Sequence, residues 1–82
     1  MTYTDGVHLI ADTIAELHEF AQGIGLKREW YQKTSLPHYD LMGSKIRMAI
    51  TAGARRVHPR ALIKIGREIY PYKWKQMEEY NK

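Results

Sequence analysis

Hydrophobic and polar positions fall into short blocks along the chain, and the spacing within each block predicts an element. The nearly continuous apolar run at residues 7–11 is typical of a strand, with His8 as its one polar interruption. The polar residues 1–6 end in Asp5-Gly6 and predict a turn or a frayed end.

Three later segments have the spacing of helices. Thr13 and Glu16 match a capping box, so a helix begins there and should stop at Gly25. A second helix is predicted at residues 45–52, and a third opens at His58-Pro59 because proline suits the first helical position. The expected inward positions are Ile14, Leu17, Ala21 and Ile24, then Ile46, Ala49 and Ile50, then Leu62, Ile65, Gly66 and Ile69.

Two aromatic triplets predict a β-hairpin. Trp30-Tyr31-Gln32 and His38-Tyr39-Asp40 suit strands, and the five residues between them suit a loop. A further short strand is predicted at residues 54–57. The expected fold is a single small α+β domain over residues 1–82, with a short antiparallel or mixed sheet and about three helices packed mainly on one face.

Composition narrows the class of protein. The chain has no cysteine, which removes disulfides and zinc–thiolate sites as supports for a small core. Self-association is the natural remaining way to bury apolar surface, so we expect a homo-oligomer. Without a membrane-length apolar run or a secretory signal, we expect a soluble, cytoplasmic protein.

Charge divides the chain into two unequal halves. Residues 1–44 carry three basic and six acidic side chains, whereas residues 45–82 carry ten and three. The basic half predicts an anionic partner, or simply a solvated face. Possible contacts to nucleic acid or phosphate are Arg55, Arg56, Arg60, Lys64, Arg67, Lys73, Trp74 and Lys75. The last three interleave aromatic and basic residues, which suits base stacking, but this tail could equally dock on the core.

The hairpin is the best candidate for a binding site. Strand alternation puts Trp30 and Gln32 on one face and groups His38 with Asp40. If the two pairs share a side, this surface could stack a base and hydrogen-bond its edge. The predicted ligand-binding residues are His8, Trp30, Gln32, His38, Tyr39, Asp40, Lys45 and Arg47.

Catalytic and metal sites have weaker support. His8, His38 and Asp40 form a possible two-histidine, one-carboxylate set, but no short ligand spacing supports it, so we expect neither a metal nor another cofactor. No nucleophile motif, phosphate-binding loop or dinucleotide fingerprint is present. An acid–base phosphodiesterase using His8 and His38 is the remaining enzymatic hypothesis.

A longer pattern of residues resembles a known family. It runs in order through His8-Leu9, Asp12-Thr13, Glu16-Leu17-His18, Phe20-Ala21, Ile24-Gly25-Leu26, Trp30, Gln32, His38-Tyr39-Asp40-Leu41, Lys45, Ala49-Ile50 and Gly53-Ala54. This pattern is similar to the domain-of-unknown-function family 4031 of bacteria and phages, over about residues 7–57. The resemblance implies a compact α+β domain and no particular activity. Family members usually begin with a strand and paired aspartates, whereas here Asp5 stands alone, which weighs against a metal-dependent role there.

Taken together, these features predict a non-enzymatic, phage-type protein that binds a nucleotide or a nucleotide-derived signal near the hairpin. Sequestering a host signal would make it a counter-defence protein inside the bacterial cell. The alternatives are nucleic-acid binding by the basic half, the phosphodiesterase, and a protein-interaction module whose basic half contacts a host enzyme.

Overall fold

The computed structural model describes residues 1–70 and shows a five-stranded mixed sheet with three α-helices. The strands are β1 (Thr2–Thr4), β2 (His8–Ala11), β3 (Tyr31–Gln32), β4 (His38–Asp40) and β5 (Arg55–Arg56). The helices are α1 (Ile14–Gly23), α2 (Ser44–Thr51) and α3 (Pro59–Ile69). The predicted α+β class is confirmed.

The sheet has the order β3-β4-β2-β1-β5. Its pairs are antiparallel except for β1 and β5, which run parallel. The predicted turn or frayed end at residues 1–6 is wrong for residues 2–4, which form β1 between two neighbouring strands, but Asp5 and Gly6 do lie in a bend before β2. Thr2 and Thr4 are buried there, and β-branched side chains fit a pleated, buried surface.

The helix ends agree with the sequence signals. The Thr13 hydroxyl accepts a hydrogen bond from the Glu16 N–H at 3.1 Å, while the Glu16 carboxylate bonds the Met1 amino group rather than Thr13. Gly25 has φ +81°, and the Leu26 N–H bonds the Ala21 carbonyl, which closes the helix as predicted. Helix α3 begins at Pro59. The side chain of His58, the residue before it, accepts a hydrogen bond from the Arg60 N–H.

The main core lies between one face of the sheet, hereafter the core face, and helices α1 and α2. It contains Leu9, Ala11, Leu17, Ala21, Ile24, Leu26, Tyr39, Leu41, Ala49 and Ala54. Ile50, expected to point inward, is 39% exposed, so this prediction is wrong. Ala49 is the buried residue of α2 in the main core.

Ile10 points to the other face by strand alternation, and both it and Leu62 of α3 are buried outside the main cluster. We infer that α3 covers part of that second face. Within residues 1–70, no helix is both long and apolar enough to cross a bilayer.

Candidate functional site

The register of the sheet gathers polar side chains on the face opposite the main core, hereafter the polar face. His8 pairs with Asp40, and Gln32 pairs with His38, so these four side chains leave the sheet on the same side. Gln32 therefore shares a side with His38 and Asp40, which the sequence left open, and His8 lies on that face as well. The two imidazole rings lie 5.2 Å apart between centroids.

His8 is held by the turn that precedes it. The Asp5 carboxylate accepts hydrogen bonds from the backbone N–H groups of Val7 and His8 at 2.9 and 2.7 Å. Its second oxygen lies 3.0 Å from His8 Nδ1. Burial by itself raises the pKa of Asp5, but these bonds from His8 and Val7 together outweigh it and hold the pKa below its ordinary value. Asp5 is therefore ionised near neutral pH and fixes the imidazole.

His38 is held in a comparable way from the hairpin loop. Its Nδ1 lies 2.7 Å from the Leu36 carbonyl oxygen, and its Nε2 lies 3.3 Å from an Asp40 carboxylate oxygen. A carbonyl oxygen only accepts hydrogen bonds, so Nδ1 must carry the proton. His8, His38 and Asp40 each present one ligand-type atom, and these three atoms lie within 4.8 Å of one another.

A cleft of about 730 Å³ opens beside Asp40. Its lining comprises Leu26, Glu29, Trp30, Gln32, Asp40, Met42, Gly43, Ser44 and Lys45. This volume is within the range of small-molecule sites. Trp30, which we expected in a strand, instead ends a short 3-10 helix at Arg28–Trp30, so that strand boundary was wrong. Its ring is 44% exposed, with the Lys27 ammonium 5.6 Å from its centroid.

The floor of the cleft includes the start of α2. Gly43 is the N-cap, and no side chain caps the helix there. Lys45 is half-buried, and its ammonium donates to the Ile24 carbonyl at 2.8 Å, which fixes the side chain in place. A lysine ammonium has three donors, so this bond leaves two for a ligand.

Four of the predicted ligand-binding residues do not line the cleft. His8 and His38 lie on the polar face, and Tyr39 and Arg47 lie elsewhere. Tyr39 is 1% exposed in the core, and its hydroxyl lies 2.8 Å from His18 Nδ1, so it cannot stack a ligand's base in the cleft. Arg47 lies in a separate groove with Arg56, on another side of α2. Side chains alternate along β4, so Tyr39 points to the core face while its neighbours His38 and Asp40 point to the polar face.

The residues predicted to contact nucleic acid are divided between two elements. Arg55 and Arg56 are exposed on β5, and α3 carries Arg60, Lys64 and Arg67 as exposed side chains. Lys73, Trp74 and Lys75 lie outside the described residues.

Asp5, Ser44 and Glu29 are site residues that the sequence argument missed. The sequence does contain a signal for Asp5. Residues 5–7 include a glycine and lie between two β-prone segments, a pattern that predicts a hairpin. Asp5 at the first of these positions suits a turn in which its carboxylate bonds the backbone that follows. Ser44 and Glu29 had no comparable signal.

The fold and this polar face define a small α+β domain with a ligand-sized cleft and a histidine–carboxylate cluster. A family model described as "Protein of unknown function (DUF4031)" matches residues 4–69, and the chain belongs to that family. The matched range includes α3 and extends beyond residues 7–57. No curated protein and no solved structure matches the chain.

Proposed function

We propose that this protein is a non-enzymatic binding protein that holds a nucleotide, or another small phosphorylated molecule, in the cleft beside Trp30. The observation that carries the proposal is the lining of this one cleft. It combines a half-exposed indole, two carboxylates, an amide and the start of a helix that has no side-chain cap and carries a fixed lysine.

The phosphate would lie at the start of α2. The positive end of the α2 helix dipole attracts anions, and the Lys45 ammonium adds a full positive charge to the cleft lining, whereas the Lys45 and Ile46 N–H groups already bond the Met42 and Gly43 carbonyls. The Ser44 hydroxyl supplies a further donor in the same lining. These groups suit one phosphate.

The base and sugar would lie at the other end of the cleft. Trp30 offers a flat aromatic surface, and stacking a base on such a surface contributes about 1–3 kcal/mol. Carboxylates accept hydrogen bonds from sugar hydroxyls and exocyclic amino groups, which suits Glu29 and Asp40. Gln32 can both donate and accept, so it can read either kind of base edge.

A matched pair of substitutions on α2 tests the phosphate position. In Lys45→Met, affinity for ATP, GTP, AMP or cyclic AMP should fall about 10–100-fold, because a hydrogen bond to a charged group is worth about 1.5–3 kcal/mol. Arg47→Met removes a positive charge from the same helix outside the cleft and should leave affinity nearly unchanged. Calorimetric titration measures both variants. Equal losses in the two would show a non-specific charge effect and contradict the site.

Trp30→Ala tests the base position. It should abolish measurable binding while leaving the fold intact, because the side chain is largely outside the core. Circular dichroism and chemical denaturation provide the folding control. An unfolded Trp30→Ala protein would assign Trp30 to the core, and unaltered binding would remove it from the site.

The proposal includes the biological setting predicted from the sequence. A small phage-type protein that sequesters a host nucleotide signal in this cleft would act in counter-defence in the bacterial cytoplasm. Homo-oligomerisation is also part of the proposal. Exposed Met48 and Ile50 on α2 support it, since association would remove them from water.

Nucleic-acid binding is a second candidate, favoured by the arginines of β5 and the basic face of α3. Its signature is an affinity that falls steeply with salt. A nucleotide in the cleft should depend less on salt and more on Trp30. The phosphodiesterase hypothesis makes a different prediction, namely hydrolysis of a cyclic nucleotide that is lost in His38→Ala.

A further inference from the structure

The cluster of His8, His38 and Asp40 has an arrangement that ligand binding in the cleft does not require. Of these residues only Asp40 borders the cleft. The two histidines come from different strands, and each is oriented by a separate acceptor, Asp5 or the Leu36 carbonyl.

These acceptors determine which ring nitrogen is available. Because the Asp5 carboxylate and the Leu36 carbonyl both act as acceptors here, each histidine carries its proton on Nδ1 when neutral. The lone pair is then on Nε2 in both rings. Within residues 1–70, Asp40 is the group that faces His38 Nε2, and no hydrogen-bond partner is seen for His8 Nε2.

Metal-binding histidines typically show this pattern. The nitrogen that does not bind the metal donates to a carboxylate or a backbone carbonyl, which fixes the ring and makes the ligand more basic. Here the partner of His8 is the Asp5 carboxylate, and the partner of His38 is the Leu36 carbonyl. The arrangement therefore supplies both the ligands and the outer groups that orient them.

The distances are compatible with one ion after small side-chain movements. Ligand atoms at about 2.1 Å from a tetrahedral ion lie about 3.4 Å apart. His38 Nε2 and the Asp40 oxygen are already at 3.3 Å, and the whole set is within 4.8 Å. The Asp40 side chain is 47% exposed and His8 is 44% exposed, so both can adjust without disturbing the core.

We propose that His8, His38 and Asp40 bind one divalent transition-metal ion, such as zinc, with Asp5 as the positioning residue for His8. Two imidazoles and one carboxylate suit zinc, iron, cobalt and related ions better than magnesium or calcium. Three protein ligands leave at least one coordination position for water or another small ligand. The expectation of no metal, drawn from the lack of a short ligand spacing, is replaced by this proposal because strand pairing brings distant residues together.

Metal titration without any nucleotide tests the site directly. Full-length protein is dialysed against a chelator and titrated with zinc chloride by calorimetry, and with cobalt chloride by visible absorption. One ion should bind per chain, and cobalt should give the absorption bands of a site with nitrogen and oxygen ligands. Asp40→Asn and His38→Gln should each weaken zinc binding at least tenfold.

His58→Asn is the matched control. It removes an imidazole from the surface but keeps a side chain that can cap α3, so metal affinity should remain unchanged. If His38→Gln fails to fold, the exposed Asp40→Asn decides the question. Absence of binding, or binding equally strong in Asp40→Asn, would overturn the proposal. Nucleotide titrations in the presence of chelator test the proposed function separately.

Discussion

The two sides of strand β4 place similar residue types in opposite settings. On the core face, Tyr39 contacts His18, whose ring also lies edge-on to Tyr31 with centroids 4.5 Å apart. On the polar face, His38 and Asp40 stand beside His8 and remain partly open to solvent.

The histidines show what this difference means. The pKa of His18 is lowered, first by burial and then by the positive charge of Arg28, so His18 is a neutral packing residue. His8 and His38 instead each have an acceptor on Nδ1, and their Nε2 atoms lie on the polar face, where that of His38 faces Asp40. Burial turns a histidine into a part of the core, whereas a fixed tautomer on an open face leaves it available for binding.

Leu9→Ala and Asp40→Asn should separate the two faces most strongly. Leu9 is fully buried in the main core, so its truncation should lower the free energy of unfolding by about 2–5 kcal/mol. Asp40→Asn changes an exposed side chain on the polar face and should alter the free energy of unfolding by no more than about 0.5 kcal/mol. Chemical denaturation measures both. A large loss in Asp40→Asn would mean that the polar face is structural.

Asp5→Asn should weaken zinc binding by about 10–100-fold, the usual effect of losing an outer-shell partner. Asparagine can still accept from the Val7 and His8 N–H groups, so the turn should persist. Long-range ¹H–¹⁵N NMR spectra of the apo protein report the tautomer of each histidine, which a purely structural effect on folding would not change. His8 should lose its preference for the Nδ1–H tautomer, and an unchanged tautomer would contradict the positioning role.

Acidification should act through His18 on the core face. Because folding lowers the pKa of His18 from 6.5, the unfolded chain binds that proton more readily. The stability that neutral His18 contributes is therefore complete above pH 6.5 and is lost as the pH falls from there towards the folded pKa. Denaturation of wild type and His18→Gln across pH 7.5–5 should show a smaller decline in the variant. Parallel curves would contradict this role.

Much of the fold was predictable because local signals and tertiary contacts agree. The Thr13 cap, the stop at Gly25 and the proline that opens α3 each specify a boundary through local hydrogen bonds or local backbone geometry. Strand β1 was missed although its β-prone residues precede a three-residue loop that contains a glycine, which is a local hairpin signal. Its parallel pairing with β5 has no such local signal. Trp30 was assigned to a strand on aromatic propensity, and tertiary structure places it in a 3-10 helix.

The candidate site was predictable only in part. Alternation along β4 correctly groups His38 with Asp40. The same alternation puts Tyr39 on the opposite face, so Tyr39 should not have been included among the expected ligand contacts. The pairing of His8 with Asp40 depends on register across residues that are far apart in sequence. Spacing rules for metal ligands along one chain segment cannot detect such a set.

The most direct test of the binding role is native mass spectrometry of the protein purified from cells, repeated after adding an equimolar mixture of ATP, GTP, AMP and cyclic AMP. The proposed function predicts one retained nucleotide per chain in wild type, released on denaturation, and none in Trp30→Ala. The same spectra give the number of chains in the assembly. A bare wild-type mass under both conditions, or equal nucleotide retention in Trp30→Ala, would contradict nucleotide binding in this cleft.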